Sequence, residues 1–204
     1  VANAPENPPD ASPFHQLLAL EVRARQDPVL LDEYVSQAVE RFGSGDDETL
    51  AALASWLNSV GRAGKILQLL PLDRASQRQD LYLRHIDALA ALERWDELKE
   101  VLLRERFPLD PVFQRMYLAV AKAHLGSATG ATNEWQRALE VANTTEKLLT
   151  LAKYAEQNPA KDIADAAFDG DIKIESTNHE GYAGRLSLYL AAGARAAAQT
   201  VAHA

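Results

Sequence analysis

The stretch YLAVAKAHLGSATGATNEWQRALEV, residues 117–141, decides how this chain is read. Apolar residues recur every three or four positions up to Leu125, stop at Gly126-Ser127, and resume from Ala128 to Val141. That is the period of two amphipathic helices, not the alternation of a strand. Gly126 stands where the first helix has to end, because glycine takes the left-handed conformation that closes a helix at little steric cost. The stretch therefore predicts a helix hairpin.

Breakers of the same kind recur in both directions. Gln26-Asp27-Pro28, Gly61, Glu93-Arg94, Gly126, Asn158-Pro159 and Gly193 are separated by 35, 32, 33, 32 and 35 residues, each with a helical pattern on both sides. A fixed period of this length marks an array of helix hairpins rather than one irregular bundle. The spacing predicts helices over 14–25, 28–42, 47–60, 62–70, 76–92, 94–105, 110–125, 129–142, 145–156, 159–168, 178–192 and 194–204, an all-α chain. Pro28, Pro111 and Pro159 fall near first helical positions, where a missing N–H costs nothing. Asp47 and Glu48 fall where their charge meets the positive end of a helix dipole. Asn143-Thr144-Thr145 reads as the cap of the helix that starts at 145. The connection DGDIKIESTN, 169–178, alternates Ile172 and Ile174 and is expected to form a short extended excursion. Residues 1–13 (VANAPENPPDASP) hold four Pro and no large apolar side chain beyond Val1, so they read as a tail or linker; residues 14–204 read as one repeat domain.

Composition narrows the function classes. With 21 basic against 29 acidic side chains the formal net charge is −8, which argues against tracking a nucleic-acid backbone or an anionic membrane surface. The longest apolar runs, Tyr117 to Ala121 and Leu188 to Ala194, fall far short of the roughly 20 residues that span a bilayer. Direct membrane insertion of this segment is not expected. The chain holds no Cys, which removes zinc ribbons and thiol nucleophiles and leaves the compartment open. The cytoplasm is the favoured location, with a membrane-tethered or exported form of a larger protein as the alternative.

Leu118 and Ala119 on the first helix, Gly126 at the turn, and Ala131, Trp135, Ala138 and Leu139 on the second stand at the spacing of the tetratricopeptide repeat (TPR) family, which the chain resembles. Other units carry parts of the pattern: Leu53, Ala54, Leu57 and Gly61; Tyr82 and Leu89; Tyr182, Tyr189, Gly193 and Ala198. The run Glu93-Arg94-Trp95-Asp96-Glu97 looks like the family's turn with its glycine replaced. The resemblance implies a right-handed α-solenoid of about six antiparallel helix pairs, its concave side lined by the first helix of each pair. It also implies a role in protein–protein interaction. The Lys and Asn that hold an acidic C-terminal tail in chaperone-binding members are replaced here by Ala51 with Ser55, Leu83 with Asp87, and Met116 with Val120, so that activity is not expected.

No constellation for catalysis, cofactor or metal stands out. The five His (15, 85, 124, 179 and 203) are scattered and none lies four residues from another. Gly43-Ser44-Gly45 lacks the Lys-Ser/Thr of a phosphate cradle. Asp169-Gly170-Asp171 is not followed by the remaining ligands of a calcium loop. Trp56, Trp95 and Trp135 read as core.

The expected function is therefore a non-catalytic scaffold that binds a protein or peptide, a helix or a partner subunit, on the concave face. The family's groove positions that carry the expectation are Ser55, Asn58, Leu83, Asp87, Phe113, Met116, His124 and Leu148. A structural oligomerisation module, or a recruiting or regulatory segment of a larger enzyme, is the alternative. The terminal segment 194–204 offers Ala197, Ala198, Val201 and Ala202 with few polar residues, so a longer array or a weak homo-oligomer through that helix is expected there.

Overall fold

A computed structural model describes residues 12–104 and 109–193 of the chain, which form two units divided between Glu97 and Leu98. The first unit contains α1 (Pro13–Gln26), a 3-10 turn (Pro28–Leu30), α2 (Leu31–Phe42), α3 (Asp47–Ser59), α4 (Ala63–Leu69), the one-turn α5 (Leu72–Ala75) and α6 (Gln79–Ala91). The dividing point falls within α7 (Trp95–Leu103). The second unit continues with α8 (Pro111–His124), α9 (Ala128–Val141), α10 (Thr145–Gln157), α11 (Lys161–Ile174) and α12 (His179–Ala191). Every regular element among the described residues is helical.

In the first unit α1 packs on α2 and α3, and α3 packs on α4 and α6. The shared core takes Leu17 from α1, Val35, Ala38 and Phe42 from α2, Leu50, Leu53, Trp56 and Leu57 from α3, Ile66 from α4 and Leu81 from α6. On α2 these positions are three and four apart, and on α3 they fall at 50, 53, 56 and 57, so each helix buries one stripe and leaves the rest to solvent. In the second unit α8 pairs with α9 and α10 with α11, while α8, α10 and α12 touch in succession. Its buried residues include Leu118 and Ala119, Trp135 and Ala138, Leu151 and Ala152, and Ala167 and Phe168.

Three hairpin turns share one hydrogen-bond pattern. Gly61 donates to Asn58 and Arg62 to Leu57; Glu93 donates to Ala90 and Arg94 to Leu89; Gly126 donates to Ala123 and Ser127 to Lys122. This paired closure needs a left-handed residue at its centre. Gly61 and Gly126 supply it with φ of 71° and 78°, and Glu93 supplies it with φ of 56° although it carries a Cβ. The replaced glycine read from the sequence is thus a structural equivalence. Asn158 departs from the pattern, with φ of −113°. Among the described residues, side chains cap the starts of α3, α8, α10 and α12: Asp46 accepts from Thr49 N–H at 2.9 Å, Asp110 from Val112 N–H at 2.9 Å, Thr144 from Lys147 N–H at 3.3 Å and Asn178 from Glu180 N–H at 3.1 Å.

Three expectations are corrected. Residues 169–174 are not extended: α11 runs on to Ile174, because Phe168 and Asp171 continue the buried stripe of Ile163, Ala164 and Ala167 at helical spacing. Ile172 is half-buried and Ile174 exposed, so their alternation has no structural counterpart. The helix expected over 76–92 starts only at Gln79, after the separate turn α5, and the one expected from 28 opens as a 3-10 turn before Leu31. Residues 1–11 of the tail expected over 1–13, and the expected helix over 194–204 with the homo-oligomer contact assigned to it, lie outside the described residues, while Pro13 already belongs to α1.

Candidate partner-binding grooves

The last turn of α8, the first turns of α9 and the Asn158-Pro159 turn enclose a groove of about 370 Å³ in the second unit. Ala123, Ala128 and Ala131 make room by being small, and Val120 and Trp135 supply apolar wall. His124, Thr132 and Asn158 are the polar lining groups. Trp135 is held from behind: its ring lies 6.1 Å from Tyr154, which lies 5.7 Å from Tyr117. Asn158 is held too, its side-chain amide donating to the Tyr154 carbonyl at 2.8 Å. A mostly apolar concavity of this size with a few fixed polar groups suits one large side chain or a short segment of ligand.

The two helices that form the groove are fastened by a buried carboxylate. Glu134 of α9, its side chain only 3% exposed, accepts from Lys122 at 2.6 Å and Arg115 at 2.8 Å, both on α8, and from Arg137 at 3.3 Å. Burial works against its charge. The hydrogen bonds and charges of Lys122 and Arg115 outweigh burial, and the Glu134 carboxyl titrates below its ordinary range.

A smaller groove of about 170 Å³ lies between α1 and α3 in the first unit, lined by Phe14, Leu17, Leu18 and Glu21 on one side and Ala52, Ser55, Trp56 and Ser59 on the other. The buried His85 of α6 belongs to neither groove. Burial lowers its pKa, so the ring stays neutral, with Nδ1 donating to the Leu70 carbonyl at 2.8 Å.

The residues expected on a binding face are dispersed. Ser55 lines the first groove and His124 the second, both exposed. Asn58 is exposed on α3, outside the lining of either groove. Leu83 and Asp87 are half-buried on α6, Asp87 lying 3.7 Å from Arg84, and Phe113 is half-buried on α8. Met116 and Leu148 are core residues, 2% and 4% exposed. Leu148 packs over Gly170 of α11, which has no side chain to hold it away. Polar substitution of Phe113 and Met116 together would therefore disturb the core as well as a face.

Sequence reasoning missed Phe14 and Leu18, and it assigned Trp56 and Trp135 to the core without seeing that each also walls a groove. One signal was present. Phe14, Leu17, Leu18, Leu20, Val22 and Ala24 put apolar residues on more than one face of α1, which a single buried stripe does not require. For Asn158 and Pro159 no local signal existed, since they meet α8 and α9 only in the folded unit.

Among the described residues no three His, Asp or Glu side chains are placed to hold a metal ion, and no helix is long and apolar enough to cross a membrane. The hairpin turns, the succession of first helices and the small-residue contacts define a TPR-like helical-repeat fold of the α-solenoid class. A crystal structure of a thermophilic TPR protein from Thermus thermophilus matches the chain with a TM-score of 0.53 at 20% identity, covering 87% of this chain and 97% of that one. No family model matches the sequence, and no curated protein matches it.

Proposed function

We propose that the chain is a non-catalytic interaction scaffold that captures a peptide or helix of a partner protein in the α8–α9 groove. TPR-like folds generally serve protein–protein interaction and are typically non-catalytic, which supports the class of function. The observation that carries the site is the groove itself, an apolar concavity of about 370 Å³ walled by Val120 and Trp135. An apolar anchor side chain would fill it, and His124, Thr132 and Asn158 would meet the polar backbone on either side. Lys122, Arg115 and Glu134 keep α8 and α9 together, so the groove would be preformed and little ordering cost would fall on binding.

The test uses Ala123→Arg, which places a long side chain across the groove at an exposed position and keeps a good helix former. With a partner isolated on the full chain, titration calorimetry should show affinity lowered about tenfold or more, while circular dichroism stays unchanged. Asn58→Arg, outside the groove, should bind as the parent does. Equal binding by Ala123→Arg would reject this groove as the site.

A further inference from the structure

Helix α12 is seated on the second unit in a way its neighbours are not. α10 buries Leu148, Leu151, Ala152 and Ala155, and α11 buries Ile163, Ala164, Ala167, Phe168 and Asp171, each a stripe at helical spacing. Of the thirteen residues of α12 only Gly181 and Leu188 are buried. Gly181 lies over Asp171 and Ile172, and Gly184 over Phe168, with no room for a side chain at either. Two interior glycines bring the backbones close and weaken the helix that carries them.

Polar contacts supply the hold that an apolar stripe gives elsewhere. Arg185, its side chain 23% exposed, donates to Asp165 at 2.7 Å and to Asp169, both on α11, and its guanidinium stands 5.6 Å from the Tyr189 ring. Lys173 joins the same cluster through Asp169 at 2.6 Å. At the other end of α12, Asn178 accepts from the Glu180 N–H and donates to the buried Asp171 carboxylate, so one amide both starts the helix and ties it down. Lys153 of α10 meets Glu180 at 2.7 Å, but both are more than half exposed and such a pair adds little. The hold is thus concentrated at Asn178 and Arg185, the guanidinium on two carboxylates being the stronger. A segment with few buried apolar contacts opens locally, without global unfolding. We infer that α12 is a releasable latch: it lifts from the α10–α11 hairpin as one unit while α8 to α11 stay folded, and so uncovers Phe168 of α11. Closed, it hides that ring under Gly184; open, it leaves a second apolar contact surface on α11. This inference is independent of the reading of the α8–α9 groove.

Amide hydrogen exchange of the full chain, followed residue by residue by NMR under native conditions, tests it. The amides from Ala183 to Ala191, which are bonded within α12, should share a common protection about tenfold or more below that of α10 and α11. Arg185→Met keeps side-chain length and a good helix former while removing the charge. It should lower protection across α12 about tenfold, through the loss of charge-assisted hydrogen bonds, and leave α10 and α11 unchanged. Arg137→Met, which takes a cation from the Glu134 cluster on α9, should leave α12 as it is in the parent. The latch is overturned by α12 amides as protected as those of α11, or by a gradient of protection along α12 in place of a common value, which is fraying. It is equally overturned if Arg185→Met lowers the whole unit alike, or if Arg137→Met loosens α12 as much.

Discussion

Phe168 of α11 packs its ring directly against Gly184 of α12, so closely that a methyl group added at Gly184 would overlap the edge of the ring. Phe168 is fully buried and has no room to retreat. Glycine inside a helix costs about 1 kcal/mol relative to alanine, so its presence here reflects the contact. Gly184→Ala should destabilise the second unit by about 1–3 kcal/mol, the usual range for overpacking, against the helix-propensity gain. A lower urea midpoint checks it, and a raised midpoint would mean that the ring moves freely.

Glu93 holds a left-handed conformation that costs a residue with a Cβ about 1–2 kcal/mol. Gly61 and Gly126 occupy the same place in their hairpins without that cost. Glu93→Gly should therefore stabilise the chain by about 1 kcal/mol, reduced by the extra freedom of glycine in the unfolded state. Gly126→Ala should do the reverse. Chemical denaturation of both variants beside the parent decides the point.

Removing the charge of Glu134 leaves Arg115 and Lys122 beside a neutral amide at a site from which water is largely excluded. Glu134→Gln should cost about 1–3 kcal/mol, less than a fully buried pair would because both cations are partly exposed. The sign of the pH dependence follows from the lowered pKa. The folded state holds its proton less tightly than the unfolded one, so the stabilisation is complete above the unfolded value and is lost as pH falls through the folded value. The variant should lack this acid-limb loss in denaturation curves taken across the carboxylate range.

Asp171 behaves in the opposite sense. Its carboxylate is fully buried and accepts from the Asn178 amide at 3.1 and 3.2 Å. Burial raises its pKa, the hydrogen bonds from Asn178 and Thr145 oppose the rise, and Glu175 and Glu180 add to it. The folded state then holds this proton more tightly than the unfolded state. Its contribution to stability is fully present below the unfolded value and is lost as pH rises through the folded one. Asp171→Asn should accordingly gain most over the parent at neutral pH and progressively less in acid. A difference that does not change with pH would show that Asp171 is not desolvated in solution.

Much of the fold was legible because it is local. Helical periodicity, the breaker spacing and the cap read at Asn143-Thr144-Thr145 depend on residues within a turn or two of each other, and so does the closure that makes Glu93 equivalent to Gly61 and Gly126. The candidate site was legible only in part. His124 and Ser55 do line grooves, but nothing local distinguishes Met116, which is core, from Val120, which is core and also groove wall. Which side of a helix stays open depends on what its neighbours place there. Leu148 is buried because Gly170 of the next helix lets it in, and α11 continues past 169 because Phe168 and Asp171 find cover in the folded unit. Glu134 finds its cations 19 and 12 residues away, across a hairpin turn. The helices and their turns were thus determined by the sequence itself, through short-range hydrogen bonds and backbone sterics. Which apolar faces are buried and which remain open as grooves was decided only by tertiary packing, because burial is a property of two surfaces meeting and a linear pattern describes one at a time.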